Sequence, residues 1–377
     1  MKKVILINLF VYALIINLLA QSTEIPFLHD NYLIHNAENK LISLDTTIYK
    51  GKRSLKLKDN EIALLKNIEF GNFKIDMDMA GTGMAGIGFR SSDLFNYEFI
   101  YFRAEESDTG NSIQYVPFYN GSTGWQLYPT SEYQKNADFT MKKWFHVTLE
   151  VKGNKLKLTI NNSPDHYMEV SLLQTDLTKG AILLKSEFTP FYYSNLEIEK
   201  LEDYKTVAMK ETNNNSFLNK WLVSEQFELN EPWLFWSTGS FVQSLKGWQS
   251  IQSDRNGLVN LSKYFEYPKD VVAVKTNIKS ETKSTKKFLF DYTHCMVIIL
   301  NSEVVFYGKE MDKYGRVYIE EQAIDLELKN GENELILIIE GDAGLYGDGV
   351  LYLGRKQAAN WGFIAKLDNY SGVVVGE

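Results

Sequence analysis

Over much of the chain, apolar and polar side chains alternate one by one in short runs separated by turn-forming residues. Ser54-Leu55-Lys56-Leu57-Lys58, Phe73-Lys74-Ile75-Asp76-Met77-Asp78-Met79 and Phe145-His146-Val147-Thr148-Leu149-Glu150-Val151 all follow this rule. A period of two puts successive side chains on opposite sides of an extended backbone, which predicts half-buried antiparallel strands. Gly153-Asn154 marks a tight turn, and Lys155 to Ile160 returns as the second arm of a hairpin. Phe99 to Arg103 is rich in aromatic residues suited to a pleated surface, and Gly180 to Leu184 and Ser194 to Glu199 complete the first half. Sheets with one oily face need a second layer against that face. No helical pattern is long enough to supply the layer, so a β-sandwich is expected rather than an α/β fold.

The chain turns polar between about Tyr204 and Ser216, through Lys210-Glu211-Thr212-Asn213-Asn214-Asn215. Beyond it the strand pattern resumes at Trp221 and runs through Val271 to Thr276, Lys287 to Tyr292 and Met296 to Leu300. Asn301-Ser302 reads as a tight turn into Glu303 to Tyr307, and Gly331-Glu332-Asn333 precedes the late strand Glu334 to Glu340. The expected architecture is all-β, with two β-sandwich domains of jelly-roll type. The expected divisions are a leader at 1–20, a first sandwich at 21–203, a linker at 204–216 and a second sandwich at 217–377.

Met1-Lys2-Lys3, an apolar stretch from Val4 to Ala20, and then Gln21-Ser22 have the layout of a secretory signal peptide cleaved after Ala20. As a helix the stretch would reach about 26 Å, enough for an uncleaved anchor, but Asn8 and Asn17 interrupt it and no Lys or Arg follows to stop transfer. The expectation is a secreted or periplasmic chain whose mature form does not span a membrane. Formal net charge is −8, or −10 once Lys2 and Lys3 leave with the leader. There is no basic run, which argues against a nucleic-acid partner. Cys295 is the one cysteine, so no internal disulfide can form, and its apolar run Cys295 to Leu300 marks it as a buried small hydrophobe. His29, His35, His146, His166 and His294 are scattered in sequence, which argues against zinc.

Candidate chemistry concentrates in three neighbouring stretches that hold Asn96, Glu98, Tyr101, Arg103, Gln114, Tyr115, Asn120, Trp125 and Gln126. Sugars present hydroxyls that donate and accept, and C–H faces that pack on rings. Amides, carboxylates and Arg give direction to the first, while Tyr and Trp give rigid area to the second. The set expected to contact a ligand is Glu98, Tyr101, Arg103, Gln114, Tyr115, Asn120, Trp125 and Gln126. Strand parity puts Glu98 on the face opposite Tyr97, Phe99 and Tyr101, together with Ile100 and Phe102. That placement allows a buried carboxylate paired with a polar group such as Arg90. Asp76 and Asp78 face one way, two residues apart, and read as a solvated strand face. Trp233, Trp236, Phe241 and Trp248 could supply a stacking platform or core ballast in the second domain.

Phe70-Gly71-Asn72-Phe73, Ala85-Gly86-Ile87-Gly88-Phe89-Arg90, Asn96 to Arg103, Ile113 to Gly121, Gly124 to Tyr128 and Trp144 to Gly153 carry a resemblance. Together they resemble bacterial concanavalin A-like or laminin-G-like lectin and glucanase domains, over roughly Asn67 to Lys200. The second half, through Gly247-Trp248, Gly257 to Leu261, Asn301 to Val305 and Leu328 to Leu335, more loosely resembles galactose-binding-like jelly-roll modules. The resemblance implies a carbohydrate-binding protein whose partner is a glycan or polysaccharide. Glucanases of this class carry paired acids on one strand in a Glu-x-Asp-x-x-Glu style arrangement, from which this chain departs. Binding is therefore expected over catalysis, with a glycoside hydrolase or a protein-binding surface module as alternatives. No cofactor is implied beyond a structural Ca2+, for which the acidic loop Glu105-Glu106-Ser107-Asp108 and the glycine-acid stretch Gly341 to Gly349 offer oxygen donors.

Overall fold

A computed structural model describes residues 22–163, 168–202, 217–227, 244–266, 271–310, 316–319, 321–341, 350–357 and 360–376. The leader, most of the polar stretch near 210, Trp233, Trp236, Phe241, His166 and all but the first residue of the Gly341 to Gly349 stretch lie outside the described residues. The fold is all-β, as the alternation predicts, with two short 3-10 turns, Ala104–Glu106 and Leu261–Lys263, among the strands of the described residues. The chain divides into two compact units. One draws on Met1–Pro117 and Thr130–Val207, the other on Phe118–Pro129 and Ala208–Glu377.

The first unit is a sandwich of two eight-stranded antiparallel sheets. One sheet runs, in order, Met168–Ser171, Lys155–Ile160, Phe145–Lys152, Phe73–Gly81, Phe191–Lys200, Lys52–Leu57 and Thr46–Tyr49, with Thr23–Glu24 added beside Phe191–Lys200. The other runs Gln134–Lys135, Ile113–Phe118, Tyr97–Arg103, Met84–Ser91, Ala181–Glu187, Ile62–Leu65, Tyr32–His35 and Leu41–Ile42. In the first sheet Phe73, Ile75, Met77 and Met79 turn inward opposite Val151, Leu149, Val147 and Phe145. Phe73 meets Phe89 of the second sheet at 5.8 Å between ring centres, and Phe145 meets Phe102 at 5.7 Å. These edge-on and tilted ring contacts join the layers and add to the area they bury.

The second sheet departs from simple alternation. Met84–Ser91 and Ile113–Phe118 are buried along their whole length, and Tyr97–Arg103 is buried up to its last residue. Gly86 and Gly88 make this close packing feasible. A Cβ on Gly86 would stand 2.6 Å from the Phe99 ring and 2.3 Å from the Ile100 carbonyl oxygen, and one on Gly88 would stand 2.9 Å from the Tyr97 ring. The rings of one strand therefore lie across the bare backbone of the next.

In the second unit a larger sheet orders Gln249–Gln252, Lys220–Val223, Val271–Ser280, Gly331–Glu340, His294–Leu300 and Glu303–Glu310, with Val373–Val375 beside Val271–Ser280. A smaller sheet orders Leu258–Asn260, Gly362–Leu367, Ser284–Tyr292 and Gln322–Leu328. Val272, Val274, Met296, Ile298, Leu337 and Ile339 meet Phe288, Phe290, Leu326 and Phe363 in the core between them. The other face of the larger sheet is apolar too. Val271, Ala273, Val297, Ile299, Ile336 and Ile338 pack with Phe227, Leu245 and Trp248. This explains why these strands read as continuous apolar runs. It also gives Trp248 a packing role, with the Lys275 ammonium 4.4 Å from its ring centre.

Asn333 ties the turns of this sheet together. Fully buried, it donates to the carbonyls of Lys329 at 2.9 Å and Gly331 at 3.0 Å, and accepts from Lys329 N at 2.9 Å and Asn301 Nδ2 at 2.8 Å. Asn301 and Ser302 both take positive φ, +51° and +72°, as a two-residue hairpin turn requires. Asn333→Ala is expected to strand several buried polar groups and to cost about 3 kcal/mol of stability. Denaturant unfolding checks this; a loss below about 1 kcal/mol would remove Asn333 from this role.

Candidate functional site

The Tyr97–Arg103 strand sorts its side chains by parity, and the two faces have different chemistry. On the core side, Glu98 is wholly buried; it accepts a hydrogen bond from the Tyr115 hydroxyl at 2.6 Å and one from the Gln174 backbone N–H at 3.0 Å. The Tyr115 oxygen in turn accepts from Leu173 N at 2.7 Å. Burial pushes the Glu98 carboxyl up to about 7, against the opposing pull of Tyr115, the Gln174 N–H and the Arg90 charge. Arg90 sits at φ +50° and donates to the carbonyls of Gly71, Leu177 and Gly153. Glu98 and Tyr115, expected among the ligand contacts, thus brace the interior and present no surface to solvent.

The opposite face gathers Tyr101, Arg103 and Gln114 from that expected set. Arg103 N bonds to Ser112 O, so the antiparallel ladder brings Tyr101 level with Gln114. The Tyr101 hydroxyl is hydrogen-bonded to Gln114 Oε1. Gly86 lies opposite both Tyr101 and Lys185, and Met84 lies opposite both Arg103 and Glu187. Two cross-strand rows result: Lys185, Gly86, Tyr101 and Gln114, and beside it Glu187, Met84 and Arg103. Lys185 and Glu187 form an ion pair, with side chains 2 % and 15 % exposed. The Lys185 ammonium also lies 5.6 Å from the centre of the Phe99 ring, and the Arg103 guanidinium lies 5.1 Å from that of Tyr101. Sequence reading missed Lys185 and Glu187, since Ala181-Ile182-Leu183-Leu184-Lys185 gives no sign of which strands flank it.

A sheet face of purely structural purpose has little use for this set. Removing an ammonium and a carboxylate from water costs several kcal/mol per ion before pairing offsets it, and apolar residues would fill the space at lower cost. Two cations, a carboxylate, an amide and two aromatic rings are gathered on one patch, in which Phe99, Tyr101, Gln114 and Lys185 are buried and Arg103 and Glu187 reach solvent. Arg103 is only partly buried, and with Glu187 forms the wetter edge of the patch.

Asn120, Trp125 and Gln126 belong to the Phe118–Pro129 segment, hence to the second unit. Asn120 Nδ2 donates to Ser262 O at 2.8 Å, and Gln126 N donates to Asn360 Oδ1 at 2.8 Å. Gln126 Oε1 accepts from Arg316 Nε at 2.6 Å. Asn260 Nδ2 donates to the Tyr128 hydroxyl at 3.3 Å. These bonds anchor the segment; Trp125 is partly exposed within it.

A second polar group lies on the outer face of the first sheet. His146 stands between Asp78, 3.0 Å from Nδ1, and Asp76, 3.5 Å from Nε2. Asp78 also accepts from Lys52 at 2.7 Å and Asn195 at 2.6 Å. Burial pushes the Asp78 carboxyl up, but bonds from His146, Lys52 and Asn195 outweigh it and hold the group down at about 2. Asp78 is buried rather than solvated as the alternation suggested, because its partners come from strands distant in sequence. With each carboxylate engaged, this cluster is largely self-neutralised. Tyr49 and Tyr192 stack beside it at 3.8 Å.

Residues 35–199 match the family model of the 3-keto-alpha-glucoside-1,2-lyase-like domain, a span that includes both sheets' central strands. No curated protein matches the chain. Among solved structures, the carbohydrate-binding module CBM66 from Bacillus subtilis is similar at 13% identity, over 46% of this chain and 100% of that one, with a TM-score of 0.36. A putative glycosyl hydrolase from Parabacteroides distasonis is similar at 14% identity, over 48% and 100%, with a TM-score of 0.34. Domain 4 of AbnA, an extracellular arabinanase from Geobacillus stearothermophilus solved with arabinotriose, is similar at 12% identity, over 48% and 82%, with a TM-score of 0.31.

Glu98 has a consequence for stability. Its folded carboxyl holds a proton up to about pH 7, while the unfolded group releases it near 4.5. Stability from this residue is therefore greatest below about pH 4.5 and falls as pH rises through 7, by about 3 kcal/mol in all. Glu98→Gln is expected to flatten that decline. Asp254 of the second unit is raised to about 7 as well, chiefly by burial, so the comparison is between wild-type and variant slopes in denaturant unfolding from pH 5 to 8. Equal slopes would refute the assignment.

Proposed function

We propose that the chain is an exported carbohydrate-binding protein whose first unit engages a glycan over the Arg103–Glu187 edge, with Tyr101, Gln114 and Lys185 behind it. The observation that carries this reading is the double row of paired charges, amide and rings on a face that structure alone does not require. Arg103 directs sugar hydroxyls and Glu187 accepts from them, while the buried Gln114, Tyr101 and Phe99 hold that edge in place. The family match supports a saccharide as the ligand class. Export rests on the leader at 1–20; no helix among the described residues is long and apolar enough to cross a membrane. The second unit, read as a galactose-binding-like module, accompanies the first, and Trp125 remains a candidate contact there.

A second reading is catalytic, and the family description favours it. A lyase acting on a 3-keto-α-glucoside removes the C2 proton made acidic by the adjacent carbonyl. The C1–oxygen bond then breaks, a C1–C2 double bond forms, and the departing oxygen takes up a proton. In this reading Glu187 accepts the C2 proton and Lys185 beside it steadies the enolate charge.

Glycan-array screening followed by calorimetry on the purified chain tests the first reading. Arg103→Ala is expected to weaken binding by about tenfold or more, the loss of one charge-assisted bond, with little change in Tm. Binding that survives both Arg103→Ala and Glu187→Gln would move the site elsewhere. Incubation with a 3-keto-disaccharide separates the second reading. Product carrying a C1–C2 double bond, absent with Glu187→Gln, supports it, and unchanged substrate removes it.

A further inference from the structure

We propose that His294, Cys295 and Glu340 form a zinc-type metal site at one end of the second unit's larger sheet. His294 and Cys295 open the His294–Leu300 strand, and Glu340 closes the neighbouring Gly331–Glu340 strand. The two strands run antiparallel with Met296 opposite Ile339, so the next step outward brings Cys295 level with Glu340. One nitrogen, one sulfur and one oxygen donor lie within 4.8 Å of one another. His294 Nε2 is 3.2 Å from Glu340 Oε2.

Consecutive strand residues ordinarily point to opposite faces, which would keep His294 and Cys295 apart. His294 instead takes φ +56°, a left-handed conformation uncommon for any residue but glycine. This breaks the alternation and lets both side chains reach one carboxylate. Zinc bonds of about 2.0 Å to nitrogen and oxygen and 2.3 Å to sulfur give tetrahedral edges of about 3.3 to 3.6 Å. The observed 3.2 Å between His294 and Glu340 is close to such an edge.

The donor mixture selects the ion. Calcium and magnesium prefer oxygen throughout, whereas one imidazole, one thiolate and one carboxylate suit zinc and leave its fourth position to water. The buried thiol supplies a dry side, while the His294 and Glu340 side chains, 14% and 26% exposed, leave a path for the ion. The competing cation is Lys309, opposite Cys295 across the ladder but largely exposed, so its flexible stem can turn the ammonium into water.

The test is a zinc titration of the full chain by calorimetry, in a non-chelating buffer with the thiol kept reduced. One-to-one binding is expected, with His294→Ala and Glu340→Gln each weakening it by at least about tenfold. Cobalt(II) should show a thiolate-to-metal charge-transfer band that Cys295→Ser abolishes. Absence of zinc binding, one-to-one binding that survives both the His294 and Glu340 substitutions, or a cobalt spectrum without the thiolate band would each overturn the site. If Cys295→Ser fails to fold, the partly exposed His294 and Glu340 variants, checked by circular dichroism, decide the question through the zinc titrations.

Discussion

The pairing of Tyr97–Arg103 with Met84–Ser91 is the constraint on which the first unit's chemistry depends. Phe89 faces Glu98 and Gly86 faces Tyr101, so one register decides which side chains enter the core and which meet the outer face. A slip by one residue would exchange the two sets, moving Tyr101 and Arg103 inward and Glu98 outward. Gly86 and Gly88 protect that register, since the Phe99 and Tyr97 rings fit only where no Cβ stands. Packing at two glycines thereby fixes which face Arg103 occupies.

Polar groups are buried in the first unit under two different regimes. Glu98 is satisfied by a phenol and a backbone N–H, with no ion pair within its own bonds, and burial leaves its carboxyl raised. Asp78 is surrounded by Lys52, His146 and Asn195, and its carboxyl is held low. The first arrangement resembles an internal brace that tolerates a proton, the second a fixed charge. Lys185 and Glu187 differ from both, because they pair with each other beside aromatic rings on a face outside the core. That contrast, rather than the number of polar residues, distinguishes the candidate site.

The alternation around Phe73 to Met79 and Phe145 to Val151 made the sandwich legible, because each of those strands has one dry face and one wet one. Strand parity also separates Glu98 from Tyr101. Lys185, Glu187 and the His146 cluster were not legible, since their partners meet through strand order, which local pattern does not encode. Asp76 and Asp78 looked solvated for the same reason. Asn120 and Gln126 sit near Gln114 in sequence, yet their hydrogen bonds run to Ser262, Asn360 and Arg316. Proximity along the chain grouped residues that the fold assigns to separate units.

The second unit shows how an apolar strand can still end in chemistry. Cys295 to Leu300 is buried along its length because its sheet carries hydrophobic contacts on both faces. Sheet ends escape that rule: the ladder stops, alternation can break, and polar side chains reach water without leaving the strand. His294 stands at such an end with a left-handed backbone, and Glu340 stands beside it at the close of the neighbouring strand. An apolar run predicts burial for the thiol, and rightly so, yet burial on one side is what a metal ligand uses to exclude competing water. A hydrophobic context for a cysteine therefore does not separate a structural thiol from a ligating one; the separation comes from which donors the adjoining strand brings alongside.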